Sequence, residues 1–334
     1  MKALRAERGM DDNSKMLQEV KTLAMLRHGH YIARYFVAKE VGGGSAGSNM
    51  TDWLLIQLEL CTGGTLQSEL AKCRTHNGGS GGGLPAADVR KYLAQLVEAF
   101  RFMAEKKIVH RDLKLNNVCL SAPGGDCRIV DLGFARKLGG EGPSSDADQS
   151  DPSLYKPRGN MRYRSPENDG SRKIDHKDDM WALGIMLCEM LTGRTVRDLL
   201  GGAYVQVWPR YAEELEGWKA EAKALDENLG RIAEGLLCPK PADRFGAEEV
   251  AAELRTMGIT LQGHRIISDE PPPFLPVGWL YQLHLAVEVP ATLAEALQVR
   301  LALTNLPMSY GRTFTCQRYF TPMQRDNPRS NDFP

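Results

Sequence analysis

The chain has 334 residues, of which 42% are hydrophobic and 25% are charged, a balance typical of a globular protein. Lys plus Arg and Asp plus Glu each number 42, so the formal net charge is zero and a strongly basic nucleic-acid or membrane-surface protein is not expected. The seven cysteines form no Cys-x-x-Cys pair, which is typical of reduced thiols rather than of a disulfide framework.

The first predicted helix covers residues 14–27, with Asn13 or Ser14 as its cap. Apolar residues at helical spacing give it one inward stripe: Met16, Val20, Leu23 and Ala24. Glu19 lies on the edge of that stripe. A local pair with Lys15 is the alternative role for this carboxylate, and such an i,i+4 pair contributes only about 0.2–0.5 kcal/mol on a surface helix.

Two glycine-rich strings and a strand follow the helix. Residues 42–47 match Gly-x-Gly-x-x-Gly, a spacing that can cradle phosphates, but they stand between the helix and the next strand rather than before the helix. We interpret this string and residues 78–83 as flexible connections. Residues 53–58 predict a buried strand, at whose end the segment Glu59-Leu60-Cys61 follows.

Residues 108–117, Ile-Val-His-Arg-Asp-Leu-Lys-Leu-Asn-Asn, are the most informative part of the chain. They follow a predicted core-facing helix over residues 86–106. Asp112, Lys114 and Asn117 place an acid, a base and an amide at fixed offsets in one polar loop. In a His-Arg-Asp-Leu-x-x-x-Asn string the Asp accepts a proton from a hydroxyl group and the Asn holds magnesium. Taken alone, Asp112 would be interpreted as a turn residue or a helix cap.

Four further motifs follow in chain order. They are Asp131-Leu132-Gly133, Tyr163-Arg164-Ser165-Pro166-Glu167, Asp179-Met180-Trp181-Ala182-Leu183-Gly184 and Pro241-Ala242-Asp243-Arg244. Each has an ordinary structural interpretation by itself. Asp131 could close a strand-end turn, and Asp179 could cap the apolar helix that follows it. The order and spacing of all five motifs, however, are specific.

These five motifs resemble those of the eukaryotic protein kinase superfamily, of the serine/threonine type, over residues 10–260. The resemblance implies an α+β, two-lobed protein kinase fold with an incomplete antiparallel sheet in the N-lobe and a mainly helical C-lobe. It implies ATP and Mg²⁺ as cofactors. It also implies a protein substrate whose Ser or Thr hydroxyl receives the γ-phosphoryl group.

The resemblance assigns the chemistry to four side chains. Asp112 would act as the base, and Lys114 would steady the transferring phosphoryl group. Asn117 and Asp131 would hold magnesium against the phosphates. Leu at position 132, where the family usually has Phe, keeps the apolar side chain that the position needs.

The resemblance also assigns nucleotide binding. Lys2 would be the lysine of the third family strand, paired with Glu19 so that it positions the phosphates. Backbone groups of Glu59 and Cys61, in the hinge between the lobes, would bind adenine. Leu58 would stand at the gatekeeper position.

Four other positions receive structural roles from the resemblance. His110 would pack in the core without transferring a proton, and Asp179 would hold the backbone of the catalytic loop. Glu167 and Arg244 would pair near the end of the C-lobe.

The chain is expected to divide into three regions. Residues 1–58 would form a partial N-lobe, residues 59–260 the hinge and the C-lobe, and residues 261–334 a C-terminal extension that could bind a partner. If Lys2 is the family lysine, the first two strands and the phosphate-covering loop between them are missing from this chain. Three alternatives follow: an incomplete kinase, a kinase whose missing lid is replaced by the extension or a partner, and a non-catalytic pseudokinase scaffold. The five retained catalytic positions favour catalysis.

Residues 131–167 would form the activation segment, and their acidic, Ser-rich middle favours a mobile loop. We expect phosphorylation there to order the segment through Arg111, at one of five candidate sites: Ser144, Ser145, Ser150, Ser153 or Tyr155. Asn160 replaces the Thr that usually bridges Asp112 and Lys114. Arg164 is typical of kinases that prefer proline after the target residue.

The location expected for the protein is the cytoplasm or the nucleus, in soluble form. Residues 1–10 are charged and lack the apolar centre of a signal peptide. The longest apolar run, residues 180–191, is too short to span a bilayer. No membrane or nucleic-acid partner is expected.

Overall fold

The computed structural model describes residues 2–5, 10–41, 53–76, 82–139, 154–168, 170, 173–199 and 208–261. All of them fall within the first of the chain's two structural units, Met1–Glu270. The expectations for the glycine string at 42–47, for the four serines between 144 and 153 and for the extension beyond residue 261 lie outside the described residues.

A three-stranded antiparallel sheet forms the N-terminal part of the fold. Its strands are Lys2–Arg5 (β1), Tyr35–Val41 (β2) and Trp53–Leu58 (β3), in the order β1-β3-β2. The central strand β3 is the predicted one, with buried residues at 54, 55 and 56. Lys2 lies opposite Ile56, so β1 presents its first side chain at the edge of the sheet nearest the rest of the chain's catalytic motifs.

Helix α1 covers Met10–Met25 and packs beside this sheet. It begins earlier than predicted, so Asn13 and Ser14 lie inside the helix and the cap assignment was wrong. Its buried face is also rotated from the predicted stripe: Leu23 is buried, but Ala24 is exposed. Consecutive helical residues differ by about 100° in direction, so a face that includes Leu23 turns Ala24 toward solvent.

Helices make up most of the remaining described residues. Their bounds are Leu66–His76 (α2), Ala86–Glu105 (α3), His176–Thr192 (α4), Val196–Leu199 (α5), Trp208–Leu225 (α6), Glu227–Leu236 (α7) and Ala247–Thr256 (α8). The predicted apolar stripe of α3 is buried. Helix α4 is buried from Asp178 to Thr192, as the apolar run at residues 180–191 predicts. Across the described residues, we find no helix with the length and apolar character needed to cross a membrane.

The start of α4 differs from the prediction that Asp179 caps it. The N-cap is Asp175, whose carboxylate accepts the N–H of Lys177, while the Asp178 carboxylate accepts the N–H of Asp175. Asp179 lies in the first helical turn instead. The reciprocal capping leaves the carboxylate of Asp179 available for contacts outside the helix.

Two small antiparallel ribbons frame the loop that carries the polar motif. Ile108–Val109 (β4) pairs with Arg136–Lys137 (β7), and Val118–Leu120 (β5) pairs with Cys127–Ile129 (β6). The loop leaves β4 and re-enters the fold at β5, so both of its ends are fixed. The α+β fold with a small antiparallel sheet and a mainly helical second part is therefore confirmed.

Candidate active site

Asp112 lies at the centre of a buried hydrogen-bond network in the loop between β4 and β5. Its Oδ2 accepts hydrogen bonds from Nζ of Lys114 at 2.7 Å and from Nδ2 of Asn117 at 3.0 Å. The same Asn117 amide also donates to the backbone oxygen of Asp112 at 2.7 Å. The three residues of the predicted catalytic loop are thus brought together, and the carboxylate of Asp112 has one fixed direction.

The other carboxylate oxygen of Asp112 contacts the end of the activation segment. The backbone N–H of Asn160 donates to Oδ1 of Asp112 at 2.8 Å. The Asn160 side chain turns away and accepts the N–H of Arg162, capping the short turn Met161–Tyr163. The residue that replaces the usual Thr therefore reaches Asp112 through its backbone. No motif or residue spacing in the sequence indicates this backbone contact.

A glycine makes this approach possible. Gly159 has a φ of 78°, in the left-handed region that favours glycine. A Cβ at this position would lie only 2.1 Å from the carbonyl oxygen of Arg111. Because no side chain fits there, the chain can bring Asn160 against the catalytic loop.

Asp179 of α4 fixes the backbone of the catalytic loop through hydrogen bonds. Its carboxylate accepts the N–H groups of His110 at 2.7 Å and of Arg111 at 2.9 Å. Burial raises the pKa of Asp179, and the charge of His110 and the two N–H donors oppose that shift. His110 is itself buried, and its Nε2 lies 3.1 Å from the carbonyl oxygen of Val130. These contacts are those of a structural support.

Lys2 joins two acidic side chains from different parts of the chain. Its Nζ lies 2.7 Å from Oε1 of Glu19 on α1 and 2.9 Å from Oδ1 of Asp131. Burial disfavours the protonated lysine, but the charges of Glu19 and Asp131 outweigh it and raise the pKa of Lys2. Burial also disfavours the Asp131 carboxylate, whose pKa the charge of Lys2 nevertheless lowers. Both shifts favour the charged forms of Lys2 and Asp131 at neutral pH.

The residues predicted to hold magnesium offer the donor atoms that this ion prefers. Asn117 uses its amide nitrogen for Asp112, which leaves its amide oxygen to a ligand. Asp131 uses Oδ1 for Lys2, which leaves Oδ2, and its side chain is 42% exposed. One carboxylate oxygen, one amide oxygen and water suit Mg²⁺, which usually keeps several of its waters. The donor set therefore fits the ion.

Glu59, in the segment after β3, forms hydrogen bonds with two other parts of the chain. The N–H of Glu59 donates to the carbonyl oxygen of Arg34 at 2.8 Å, and its carboxylate accepts Nε of Arg128 at 2.9 and 3.0 Å. The N–H of Glu59 is thus engaged, and its carbonyl is the backbone group that remains for the predicted contact with adenine. Cys61 follows two residues later and is half-buried. Sequence reasoning missed both Arg34 and Arg128, because neither belongs to a motif.

Arg244 and Glu167 form the predicted ion pair through two parallel hydrogen bonds. Nη1 and Nη2 of Arg244 lie 2.7 and 2.9 Å from the two carboxylate oxygens of Glu167. The remaining donors of this buried guanidinium reach the backbone oxygens of Lys177, Cys238 and Pro239. All five N–H groups of Arg244 are therefore satisfied. Its guanidinium also stacks on Trp181, 4.9 Å from the ring centroid.

A second buried contact was not predicted. The hydroxyl of Tyr163 donates to Oε2 of Glu189 on α4 at 2.8 Å, and the N–H of Val196 donates to Oε1 at 3.0 Å. Burial raises the pKa of Glu189 to about 7, with the two donors opposing and the charge of Asp198 adding to the shift. Glu189 lies within the apolar run at residues 180–191, and nothing in the sequence pairs it with Tyr163.

The family model described as protein kinase domain matches residues 1–254. The chain belongs to the protein kinase family. Its five motifs, its small sheet and helices α1 to α7 all lie within the matched residues, and α8 ends two residues beyond them.

The kinase is similar to several curated proteins. It is 29% identical to serine/threonine-protein kinase ATG1b of Arabidopsis thaliana over 195 residues, which are 58% of this chain and 25% of the relative. It is 30% identical to serine/threonine-protein kinase ULK1 of Homo sapiens over 185 residues, 53% of this chain and 15% of the relative. It is 30% identical to serine/threonine-protein kinase Nek4 of Mus musculus over 240 residues, 72% of this chain and 24% of the relative.

These relatives confirm the serine/threonine type that the resemblance implies. The kinase spans at most a quarter of the length of these three proteins. The likeness therefore concerns the kinase domain.

Proposed function

We propose that this chain transfers the γ-phosphoryl group of Mg-ATP to a Ser or Thr hydroxyl of a protein substrate. The proposal rests on the hydrogen bonds of Asp112. Its two carboxylate oxygens accept hydrogen bonds from Lys114, Asn117 and the N–H of Asn160. A carboxylate fixed in this way can orient a hydroxyl and accept its proton without first reorganising.

Lys114 supports two steps of the reaction. Its ammonium group lies 2.7 Å from Oδ2 of Asp112, so the positive charge stabilises the ionised base before the hydroxyl is bound. The same charge stands beside the place where a phosphoryl group would pass to that hydroxyl. It would therefore stabilise the negative charge on the transferring oxygens.

Lys2 and Glu19 position the phosphates in this proposal. Lys2 is charged, and Glu19 is 5% exposed and holds the ammonium group in place. The ion pair between Lys2 and Asp131 links the phosphate-binding lysine to a metal-binding carboxylate. Asp131 and Asn117 would hold Mg²⁺, which supplies charge neutralisation on the phosphates.

Adenine binding is assigned to backbone groups of the hinge. The carbonyl of Glu59 and the backbone of Cys61 are the proposed partners, with Leu58 at the end of β3 as the gatekeeper. The ion pair between Glu59 and Arg128 supports this assignment, because it fixes the direction of the Glu59 backbone. A protein substrate is implied by the family. A partner for the C-terminal extension, and a cytoplasmic or nuclear location, are proposals from the sequence alone.

The environment of Arg111 supports regulation by phosphorylation. Its Nη2 donates to the carbonyl oxygen of Lys156, while its Nε has no hydrogen-bond partner among the described residues. Burial, with the charges of Arg136 and Arg158, lowers the pKa of Arg111 to about 10. Three guanidinium groups that repel one another form a site that an anion would stabilise. We assign that anion to a phosphate on the activation segment.

The preference for proline after the target residue rests on Arg164. This side chain is half-buried, and its Nη2 lies 3.4 Å from the carbonyl oxygen of Gly159. It lines a cleft of the described residues together with Asp112 and Asn160. A peptide array that shows no enrichment of proline after the phosphorylated residue would contradict the preference.

The decisive experiment is Mg-ATP phosphotransfer to a generic Ser/Thr protein substrate. We expect the wild type to be active and Asp112→Asn to lower kcat by about 10²–10⁴. Glu214→Gln is the matched control, because Glu214 is exposed on α6 and belongs to none of the five motifs, and its activity should equal that of the wild type. Nucleotide binding by the wild type without turnover would contradict catalysis and favour a pseudokinase.

A further inference from the structure

Two half-buried cysteines lie on segments that run side by side at the hinge. Cys61 stands just after β3, and Cys119 is the middle residue of β5. The N–H of Thr62 donates to the carbonyl oxygen of Ser121 at 3.2 Å. The N–H of Gly63 donates to the carbonyl oxygen of Leu120 at 3.0 Å. The two segments are therefore joined by backbone hydrogen bonds that begin next to Cys61 on one segment and reach Cys119 on the other, where Cys119 pairs with Thr65.

The direction of the strand turns Cys119 toward the hinge. Val118 and Leu120 are fully buried in the helical core, and Cys119 between them is half-buried. Alternate residues of a strand point to opposite faces, so the Cys119 thiol points away from the core. There it lies near enough to the thiol of Cys61 that the two groups shift each other: the neighbouring Cys119 raises the pKa of Cys61, and Cys61 lowers the pKa of Cys119.

The other described cysteines differ from this pair. Cys127 and Cys188 are 0% exposed within the core, which shields them from reagents in solution. Cys73 on α2 and Cys238 after α7 are half-buried, and among the contacts of the described residues neither thiol has another thiol beside it. Cys61 and Cys119 combine access to solvent with a neighbouring thiol, which is the arrangement that favours disulfide formation over further oxidation.

We propose that Cys61 and Cys119 form a modification site at which hydrogen peroxide creates a reversible disulfide between the hinge and β5. One thiol attacks a peroxide oxygen, the O–O bond breaks, and a sulfenic acid and one water are formed. The second thiol then attacks the sulfenic sulfur, and its proton leaves with the hydroxyl group as a second water. The two sulfurs lose two electrons in total, and the peroxide gains them.

The disulfide would change nucleotide binding. This part rests on the proposed function, because the backbone of Cys61 is the proposed partner of adenine. An S–S bond of about 2.05 Å draws the two side chains closer than a hydrogen bond between thiols does. The bond therefore shifts the hinge backbone at Cys61 toward β5. We expect the affinity for Mg-ADP to fall about tenfold, the change that loss of one hydrogen bond to adenine produces.

The test treats the full chain with hydrogen peroxide in the absence of thiols and identifies cross-linked peptides by mass spectrometry. The wild type and Cys73→Ser should give a peptide pair joined through Cys61 and Cys119. The cross-link should be absent from Cys119→Ser and should disappear when dithiothreitol is added. The affinity for Mg-ADP is measured by calorimetry on the oxidised, reduced and re-reduced samples.

The two readouts separate this inference from the proposed function. Peroxide treatment that yields sulfinic or sulfonic acids, or disulfides to other cysteines, without the Cys61–Cys119 pair would overturn the modification site whatever the protein binds. Equal Mg-ADP affinity of the reduced and cross-linked protein would overturn the effect on nucleotide binding. A reduced protein that does not bind nucleotide at all would overturn the proposed function, while the peptide map would still decide on the disulfide.

Discussion

The carboxylate of Asp179 holds Arg111 in a left-handed backbone conformation. Oδ1 of Asp179 accepts the N–H of Arg111 at 2.9 Å, and Arg111 has a φ of 72°. This conformation costs a non-glycine residue roughly 1–2 kcal/mol, which the hydrogen bonds to the buried carboxylate offset. Because Asp112 is the next residue, helix α4 sets the direction in which the proposed base points.

Asp179→Asn should therefore impair both the fold and the activity. Each carboxylate oxygen of Asp179 accepts one backbone N–H, and the Asn side chain replaces one of these oxygens by an NH₂ group, which cannot accept. One buried backbone N–H is therefore left unpaired, at a cost of about 1–3 kcal/mol. Urea unfolding and phosphotransfer assays measure the two effects. Asp175→Asn on the same helix is the control, since Asn caps a helix about as well as Asp. Equal losses in both variants would contradict a specific role for Asp179.

The pairing of Lys2 with Glu19 predicts coupled effects on catalysis. Lys2→Met and Glu19→Gln should each lower kcat/KM, because the ammonium group loses either its charge or its orientation. A double-mutant cycle should give a coupling energy of about 0.5–3 kcal/mol, the range for groups in direct contact. Strictly additive losses would show that Glu19 does not act through Lys2.

Arg244 should be sensitive even to replacement by lysine. Its side chain is 0% exposed, and its five N–H groups all have acceptors, whereas lysine offers three donors without the planar fork. Arg244→Ala leaves the Glu167 carboxylate without its cation and should destabilise the fold by about 3–5 kcal/mol. Arg244→Lys should recover only part of this.

The control for that series is Arg231→Ala. Arg231 is half exposed and lies 3.5 Å from Glu253, so its loss should cost no more than about 1 kcal/mol. Chemical denaturation of the three variants gives the free energies of unfolding. A loss at Arg244 no larger than that at Arg231 would contradict the argument from burial.

Glu189 predicts that stability falls as pH rises. Burial raises its pKa from 4.5 to about 7, so the folded state holds this proton more tightly than the unfolded chain. The contribution is full below about pH 4.5 and is lost as pH rises through 7, with a slope approaching 1.4 kcal/mol per pH unit between them. In Glu189→Gln this slope should disappear from the free energy of unfolding measured from pH 5 to 8.

A matched change at the surface isolates that effect. Glu253→Gln removes a carboxylate that is 34% exposed, and it should leave the pH dependence of stability as in the wild type. If Glu189→Gln and the wild type have parallel stability curves, Glu189 does not carry the buried proton.

Phosphorylation of the activation segment should raise activity through Arg111. Phosphatase treatment should lower the phosphotransfer rate, because the anion that joins Arg111, Arg136 and Arg158 is lost. Replacing Ser144, Ser145, Ser150 and Ser153 by Ala and Tyr155 by Phe should have the same effect. Mass spectrometry of the active protein identifies the modified residue. Unchanged activity of the fivefold variant would exclude these sites.

The parts of the fold that sequence predicted are those with strong periodicity or motifs. Helices α3 and α4 and strand β3 carry apolar patterns that only burial explains, and the catalytic loop carries its chemistry at fixed spacing. The ends of elements were less predictable. The cap of α4 is Asp175 rather than Asp179, because the five consecutive polar or charged residues 175–179 offer several caps and only the fold selects one of them.

The site contacts that sequence missed are made by residues that are distant along the chain or by backbone atoms. Arg128 reaches Glu59 across 69 residues, and Tyr163 reaches Glu189 across 26. Neither pair has a spacing that marks it. The contact between the N–H of Asn160 and Asp112 involves no side chain of Asn160. Comparing residue types with the family therefore shows only that the usual Thr is absent.

That backbone contact makes the link between the proposed base and the activation segment independent of the side chain at position 160. Asn160 has a φ of −72°, which proline also adopts, and proline differs here by having no N–H to donate to Asp112. The preceding residue is a glycine, which tolerates a following proline. The backbone N–H of Asn160, rather than a side chain, thus couples the order of the activation segment to the position of the proposed base, Asp112.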